Sequence, residues 1–319
     1  MRISPPQLAL LKTNHNMKKR ILITGANGFT GCYVATEAKS AGWETVGFVH
    51  SLRSLNDHDP LFDALHSVDL LDSKALVSLI NEIKPDYVVH LAAISFVAHG
   101  DVEAIYRTNV LGTRHLLEAL AIASYKPEAV LLASSANVYG NSTGGILDET
   151  TPPNPANDYA VSKVAMEYVA QLYMDRLPII IARPFNYTGI GQADNFLIPK
   201  IVSHFRRKAA FIELGNIDVA RDFSDVRTVV TSYLRLLQTP QAIQQVVNVC
   251  SGRAYQLSEV IEMLALLSGH QLDIQFNPDF ARSNEVKILQ GDRAKLERLI
   301  GVIDDIPFQD TLKWMLDTP

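Results

Sequence analysis

Residues 21–31 read Ile-Leu-Ile-Thr-Gly-Ala-Asn-Gly-Phe-Thr-Gly. A short aliphatic run passes straight into glycines spaced three apart, and few folds accept that text. The aliphatic part is a buried strand. Gly25, Gly28 and Gly31 then allow a tight turn, a close backbone approach to a ligand, and a helix whose first N–H groups face a phosphate. Its position at the head of an alternating strand–helix region makes this a dinucleotide site. Gly25, Asn27, Gly28, Phe29, Thr30 and Gly31 are the residues expected to hold the pyrophosphate.

The text that follows supports the same fold. Residues 45–49, 87–91, 129–133 and 179–182 are further strand-like runs, separated by amphipathic stretches such as 72–83 and 104–123. This alternation predicts an α/β fold of Rossmann type, a doubly wound parallel sheet with helices on both faces. After Arg183-Pro184 the text changes, and 185–225 reads as loops, glycines and polar clusters before helices at 226–238, 258–268 and 310–316. A chain of 319 residues exceeds the usual size of one compact domain. The expected division is an extension over 1–16, a dinucleotide-binding domain over 17–184, and a smaller α/β substrate-binding region over 185–319. Asn248 and its neighbours are expected to return to the first domain.

Composition removes other classes. A net charge of -5 without a dense Lys/Arg stripe argues against a nucleic-acid surface. No apolar run approaches the roughly 18 residues of a membrane span, and 1–16 is too weakly basic and apolar for a secretory signal. Cys32 and Cys250 make neither a disulfide framework nor a metal-ligand pair, which suits a reducing, cytoplasmic setting. No metal site is expected.

Chemistry enters with Tyr159-Ala160-Val161-Ser162-Lys163. On a helix, Tyr159 and Lys163 share a face. An ammonium beside a phenol favours the phenolate and should lower the phenol's pKa toward the working range, fitting Tyr159 to exchange a proton with a carbonyl or alcohol oxygen. Lys163 can also hold a nicotinamide ribose. Ser134-Ser135 follow the 129–133 run, at the strand end where such sheets place ligands, and a hydroxyl there can orient a carbonyl oxygen; turn capping is an equal alternative. Asn109, inside the 104–123 stretch, suits either substrate contact or support of neighbouring backbone.

The end of the second strand bears on the cofactor. His50-Ser51-Leu52-Arg53 follows Val49, and no carboxylate appears until Asp57. His50 and Arg53 suit a 2′-phosphate, so NADP is favoured over NAD, which stays open. Asp69 is placed either to face the adenine or to serve the start of the helix near Asp72.

These pieces, together with His90-Leu91-Ala92-Ala93 and Val138-Tyr139-Gly140, make the chain resemble the extended short-chain dehydrogenase/reductase family from about residue 18 onward. The resemblance implies a catalytic set of Ser135, Tyr159 and Lys163, and adds Leu70, Leu91, Ala92, Ala93 and Pro184 to the cofactor contacts. Ala182-Arg183-Pro184-Phe185-Asn186, Asn195 through Lys200, and Arg221-Asp222-Phe223 resemble the nucleotide-sugar branch, with 182–252 similar to GDP-4-keto-6-deoxymannose reductases. Arg282-Ser283-Asn284-Glu285 is similar to the C-terminal text of GDP-mannose 4,6-dehydratases. The implied substrate contacts are Ser95, Ser135, Asn137, Asn186, Asn195, Lys200, Arg221, Arg282 and Glu285. Among these, Arg221 and Arg282 suit a diphosphate, Lys200 adds charge, and Glu285 can accept from a ribose or base.

A dehydratase must take a proton from sugar carbon, and relatives of that activity carry acidic residues just after the catalytic hydroxyl. Here Ala136 and Asn137 stand in those places. The departure favours carbonyl reduction of a nucleotide-linked 4-keto-6-deoxyhexose, in deoxysugar synthesis for surface polysaccharide. A dehydratase or epimerase with tightly held cofactor is the alternative, and a non-catalytic dinucleotide sensor a second. The resemblance also implies a homodimer formed through helices around 104–123 and 162–177.

Overall fold

The computed structural model describes residues 18–51, 60–95, 100–140, 145–280 and 287–318. Its first five strands in chain order are β1 (Arg20–Thr24), β2 (Glu44–Val49), β3 (Ala64–Ser67), β4 (Tyr87–His90) and β5 (Ala129–Ala133). They are followed by β6 (Ile146–Leu147), β7 (Ile179–Pro184), β8 (Asn186–Thr188), β9 (Phe211–Leu214) and β10 (Ala220–Asp225). The last four are β11 (Val246–Val249), β12 (Ala254–Gln256), β13 (Asp273–Phe276) and β14 (Ile288–Gly291). The helices are α1 (Phe29–Ser40), α2 (Ser73–Ile83), α3 (Val102–Tyr106), α4 (Thr113–Ile122) and α5 (Asp158–Gln171). Further on come α6 (Leu197–Arg206), α7 (Val226–Leu237), α8 (Leu257–Ser268), α9 (Ala294–Ile300) and α10 (Phe308–Asp317).

Seven strands form one parallel sheet in the order β11-β7-β5-β4-β1-β2-β3. This is the doubly wound Rossmann order with one more strand on the β7 side. Both faces are covered, which is why β1 is aliphatic without alternation. Ile21 and Ile23 enter a core with α1, α7 and α9, while Leu22 enters the opposite core with α2, α4 and α5. α2 begins where Asp72 accepts from the Lys74 and Ala75 N–H groups, and ends at Lys84 in the left-handed region.

Two expectations need correction. The stretch 104–123 is not one helix: between α3 and α4, residues Arg107–Gly112 form a π-helical turn. The extra residue rotates Asn109 inward, leaving it 1% exposed. The region 185–225 is not mainly loop either, since it contains β8, α6, β9 and β10. Asn186-Tyr187-Thr188 and Arg221-Asp222-Phe223 carry no strand periodicity and are defined by their sheet partners. β8 pairs with the second half of β10, Phe223 opposite Asn186, while Arg221 pairs with Tyr255 of β12 and Leu289 of β14. β10 is the centre of a second sheet, β12-β10-β14-β6 with β8 alongside. β9 and β13 make a separate ribbon over a third core that includes Ile201, Phe205, Val260 and Leu312. β11 then pairs with β7 in the main sheet, Asn248 opposite Arg183.

A buried hydrogen-bond chain ties the middle of this sheet together. The Ala92 N–H donates to Thr24 Oγ1 at 3.2 Å, which pairs with His90 Nδ1 at 2.7 Å. His90 Nε2 meets Thr113 Oγ1 at 2.8 Å, and that hydroxyl donates to the Asn109 carbonyl at 2.7 Å. Because Thr113 spends its only proton on Asn109, His90 must carry its proton on Nε2 and accept at Nδ1. Burial, with the Lys163 charge adding to it, lowers the His90 pKa from 6.5 to about 3, so the ring is neutral.

A neutral ring in the fold that charges on unfolding contributes stability above its ordinary pKa of 6.5, lost as pH falls toward 3. The slope from this one group is about 1.4 kcal/mol per pH unit. His90→Leu should therefore flatten the acid dependence of unfolding free energy by about that slope, and cost about 1–3 kcal/mol at pH 7. Denaturant titrations at pH 4.5 and 7 measure both; an unchanged acid slope would place the titration in another group.

Candidate active site

The glycine turn leaves β1 with Gly25 at φ +67 and packs directly on the chain after β4. A side chain at Gly25 would bring Cβ within 2.9 Å of the Ala92 nitrogen, and one at Gly31 within 2.4 Å of the Gly25 carbonyl. The glycines therefore let three segments touch, and Gly28 precedes α1 without a side-chain cap. Asn27 and Gly28 are exposed at the head of that helix. Thr30 Oγ1 lies 2.8 Å from the Tyr187 hydroxyl, and Phe29 stacks on Tyr187 at 6.1 Å. Tyr187, on β8, thus joins the turn to the second sheet; nothing in its local sequence announced it.

The other expected cofactor residues lie at the carboxyl ends of neighbouring strands. His50 is exposed after β2, its carbonyl accepting from Ser67 Oγ at 3.2 Å. Arg53 lies outside the described residues. Asp69 is exposed after β3 and accepts from the Leu71 N–H at 2.9 Å, while Asp72 takes the cap of α2. Leu70 packs against Gly112, and its carbonyl meets His115 Nδ1 at 3.2 Å. Leu91, Ala92 and Ala93 follow β4, and Pro184 ends β7. Asn109 takes the backbone-support role: its side chain accepts from the Ile94 N–H at 2.8 Å and donates to the Ile94 carbonyl at 3.1 Å. It also donates to Ser162 Oγ at 3.0 Å, whose proton goes to the Tyr159 carbonyl at 2.7 Å. These ends form the edge where a doubly wound sheet takes its ligand, and the tight turn, bare helix start and neighbouring ammonium of Lys163 fit a dinucleotide. Among the described residues, no group of three or more His, Cys, Asp or Glu stands where it could hold a metal ion.

Ser135, Tyr159 and Lys163 come together at this edge. Ser135 follows β5 and both orders the next turn, accepting from the Asn137 N–H at 3.1 Å, and hydrogen-bonds Tyr159. Its turn-capping and hydroxyl-presenting roles coexist. Asn157 caps α5 on the Ala160 N–H, which sets Tyr159 in the first turn. Lys163 Nζ donates to the Ala133 carbonyl at 2.8 Å and stands 5.9 Å from the Tyr159 ring centre. The expected lowering of the phenol's pKa is not what the structure shows. Burial raises Tyr159 well above its usual value, against the Ser135 hydrogen bond, because the side chain is only 8% exposed. Lys163 is itself lowered to about 8 by burial, with Glu167 opposing the shift.

Sequence reasoning missed the group beneath this set. Glu167 accepts from Ser134 Oγ at 2.5 Å, and from Arg183 Nε at 2.9 Å and Nη2 at 2.6 Å. Arg183 Nη1 donates to the Tyr139 hydroxyl at 3.0 Å, which donates to Asn248 Oδ1 at 2.7 Å. The signal available was Glu167, one helical turn beyond Lys163.

The residues expected to meet substrate are spread over several elements. Asn137 is half-buried just after Ser135, and Ser95 is exposed beyond Ile94. Asn186 begins β8 and is exposed; it pairs with Phe223, two residues along β10 from Arg221. Arg221 Nη1 donates to the Ala220 carbonyl at 2.9 Å. Asn195 is exposed before α6. Lys200 donates to the Glu213 carbonyl at 2.9 Å and lies 4.1 Å over the Phe280 ring. Arg282 and Glu285 lie outside the described residues.

The family profile described as GDP-mannose 4,6 dehydratase matches residues 22–315, and the chain belongs to that family. Two curated relatives are similar over most of their length. GDP-6-deoxy-D-talose 4-dehydrogenase of Aggregatibacter actinomycetemcomitans is 33% identical, covering 88% of this chain and 91% of its own. GDP-6-deoxy-D-mannose reductase of Pseudomonas aeruginosa is 34% identical, covering 94% and 97%. Two solved structures are also similar. A Burkholderia cenocepacia J2315 protein described as a candidate epimerase has TM-score 0.88 and 50% identity, covering 94% of this chain and 97% of its own. RMD from Pseudomonas aeruginosa, complexed with NADPH, has TM-score 0.81 and 33% identity, covering 94% and 98%.

Gly25→Ala tests the close approach at the turn. The left-handed backbone alone costs about 1–2 kcal/mol, and the methyl must push Ala92 away. A lower melting temperature is expected, together with dinucleotide binding weakened by about tenfold or more in a fluorescence titration. Unchanged binding would mean that the turn does not touch the cofactor.

Proposed function

We propose that this protein is an NADP-dependent reductase of a nucleotide-linked 4-keto-6-deoxyhexose, with GDP-4-keto-6-deoxymannose the preferred candidate. The observation that carries the reading is the meeting of Ser135, Tyr159 and Lys163 beside the glycine turn, with Asn137 where a dehydratase needs a carboxylate. The two GDP-6-deoxysugar relatives and the NADPH-complexed structure support the substrate class and the cofactor.

Bound NADPH supplies the hydride. Tyr159 donates its phenol proton to the C4 oxygen as that oxygen gains charge, and its raised pKa keeps it protonated for this step. Ser135 orients the same oxygen. Lys163 holds the nicotinamide ribose and stabilises the phenolate left on Tyr159, which solvent then reprotonates. Asn186, Asn195, Lys200 and Arg221 are assigned to the sugar and its diphosphate, with Arg282 and Glu285 beyond the described residues. The setting is cytoplasmic deoxysugar synthesis for polysaccharide, compatible with Cys32 and Cys250 not being joined in a disulfide.

The description of the Burkholderia protein favours one alternative, epimerisation. There hydride leaves and returns to the same sugar, so purified protein would carry cofactor and consume no NADPH. Incubation with a panel of nucleotide-linked 4-keto sugars and NADPH, followed by product NMR, separates the two. Stoichiometric NADPH oxidation is expected, Tyr159→Phe should abolish it with cofactor binding nearly intact, and GDP-mannose should not be dehydrated. Efficient dehydration of GDP-mannose by the unmodified protein would overturn the reductase reading.

We also propose a homodimer. Val161, Tyr168 and Leu172 form an exposed stripe on and just past α5, while Leu111 and Ile122 are exposed on the 104–123 stretch. Large apolar side chains lined along one helix face in this way suit burial against a second copy. Light scattering at micromolar concentration should give twice the chain mass, and Tyr168→Glu with Leu172→Glu should give monomers. A strict monomer in the unmodified protein would remove the proposal.

A further inference from the structure

Glu167 carries a full buried charge that the proton-transfer steps do not use. It is 5% exposed, as is Arg183, and the pair is joined by two hydrogen bonds of 2.9 and 2.6 Å. An isolated ion pair so deep is weak support for stability, since desolvation offsets most of the attraction. Its other contacts are more informative. Glu167 Oε1 also accepts from Ser134 Oγ at 2.5 Å, and Ser134 is the residue immediately before Ser135. The Ser134 backbone N–H in turn donates to the Ala182 carbonyl at 2.7 Å, so that turn is held from both side chain and main chain. One helical turn back along α5, Glu167 faces Lys163, a residue only 4% exposed.

We propose that Glu167 is a positioning residue of the reaction, fixing the Ser135 turn through Ser134 and supplying the buried countercharge that Lys163 needs. The proposal rests on Ser135, Tyr159 and Lys163 being the reacting set. The groups facing Lys163 define the balance. Ala133 offers a carbonyl from β5, His90 on β4 is neutral, and Tyr159 is an uncharged phenol. Arg183, across on β7, directs both Nε and Nη2 at Glu167 and Nη1 at Tyr139. Among the described residues, Glu167 is then the one anion acting on Lys163, and it acts to keep the ammonium charged.

The sign of the effect follows. Lys163 is charged below its folded pKa of about 8 and loses its proton above it. Activity and NADPH affinity that depend on the ammonium should therefore hold at lower pH and fall as pH rises through that region. Removing the Glu167 charge lowers the Lys163 pKa further, so both limbs move to lower pH.

The test uses the full-length protein with Glu167→Gln, and a second variant, Glu167→Met with Arg183→Met, in case two uncompensated buried cations prevent folding. The paired change replaces the ions by apolar groups of similar volume, which is often tolerated. NADPH affinity measured by fluorescence from pH 6 to 9 should show its upper limb displaced toward acid by about one unit. The kcat/KM profile should move by the same amount. Ser134→Ala leaves the charge in place and should lower kcat without moving either limb. Limbs superposed on the unmodified protein, in whichever of the two Glu167 variants folds, would overturn the proposal, as would a Ser134→Ala protein with unchanged kcat. The NADPH titration needs no sugar substrate, so it stays decisive if the reductase reading itself fails for lack of turnover.

Discussion

The chain of hydrogen bonds through Thr24, His90 and Thr113 is the constraint on which the rest of the site depends. It runs from the Ala92 N–H, beside the glycine turn, to the Asn109 carbonyl in the π turn. From Asn109 a second set of bonds reaches Ile94 and, through Ser162, the carbonyl of Tyr159. One polar thread thus registers β1, β4, the π turn and α5 against each other. Each group in it has both its donor and its acceptor used, so a shift in one element leaves buried polar atoms unpaired in the others. Precise placement of Tyr159 relative to the turn is in this sense a consequence of polar satisfaction rather than of apolar packing, which tolerates small slides.

Legibility in the sequence followed the physics of each element. β1, β4 and β5 are buried on both faces and read as aliphatic runs, and their observed bounds lie within a residue of the expected ones. α2 was legible because Asp72 caps an amphipathic stretch with period near 3.6. The short strands β8 and β10 were not legible, since a strand of three to six mostly polar residues is defined by its partner across the sheet. The π turn was hidden for a related reason. Thr108-Asn109-Val110 fits an ordinary helix locally, and only the buried demand of Ile94 and Ser162 for a partner selects the wider turn.

At the site, the residues proposed to meet ligand were easier to find than those that support them. The glycine turn and the Tyr159–Lys163 spacing carry their chemistry in the sequence. Glu167 and Arg183 are distant in the chain and meet only because α5 packs over the end of β7. The electrostatics were the least legible part. Spacing alone suggested a lowered phenol pKa, but burial raises Tyr159 against the Ser135 hydrogen bond, with the Lys163 ammonium 5.9 Å from its ring.

The return of β11 to the main sheet has a consequence for how the protein is made. On a ribosome, β7 emerges with its far edge open, and that edge stays unpaired until Val246–Val249 has also been synthesised. β7 is buried throughout in the finished fold, so the waiting edge is an apolar strand with free backbone groups, the kind of surface that recruits other nascent chains. Residues Asn186–Gln245, which include strand β8 and helix α6, are therefore also the delay that the first sheet must survive. A longer insertion in that span would lengthen the exposure even if it left the finished site untouched.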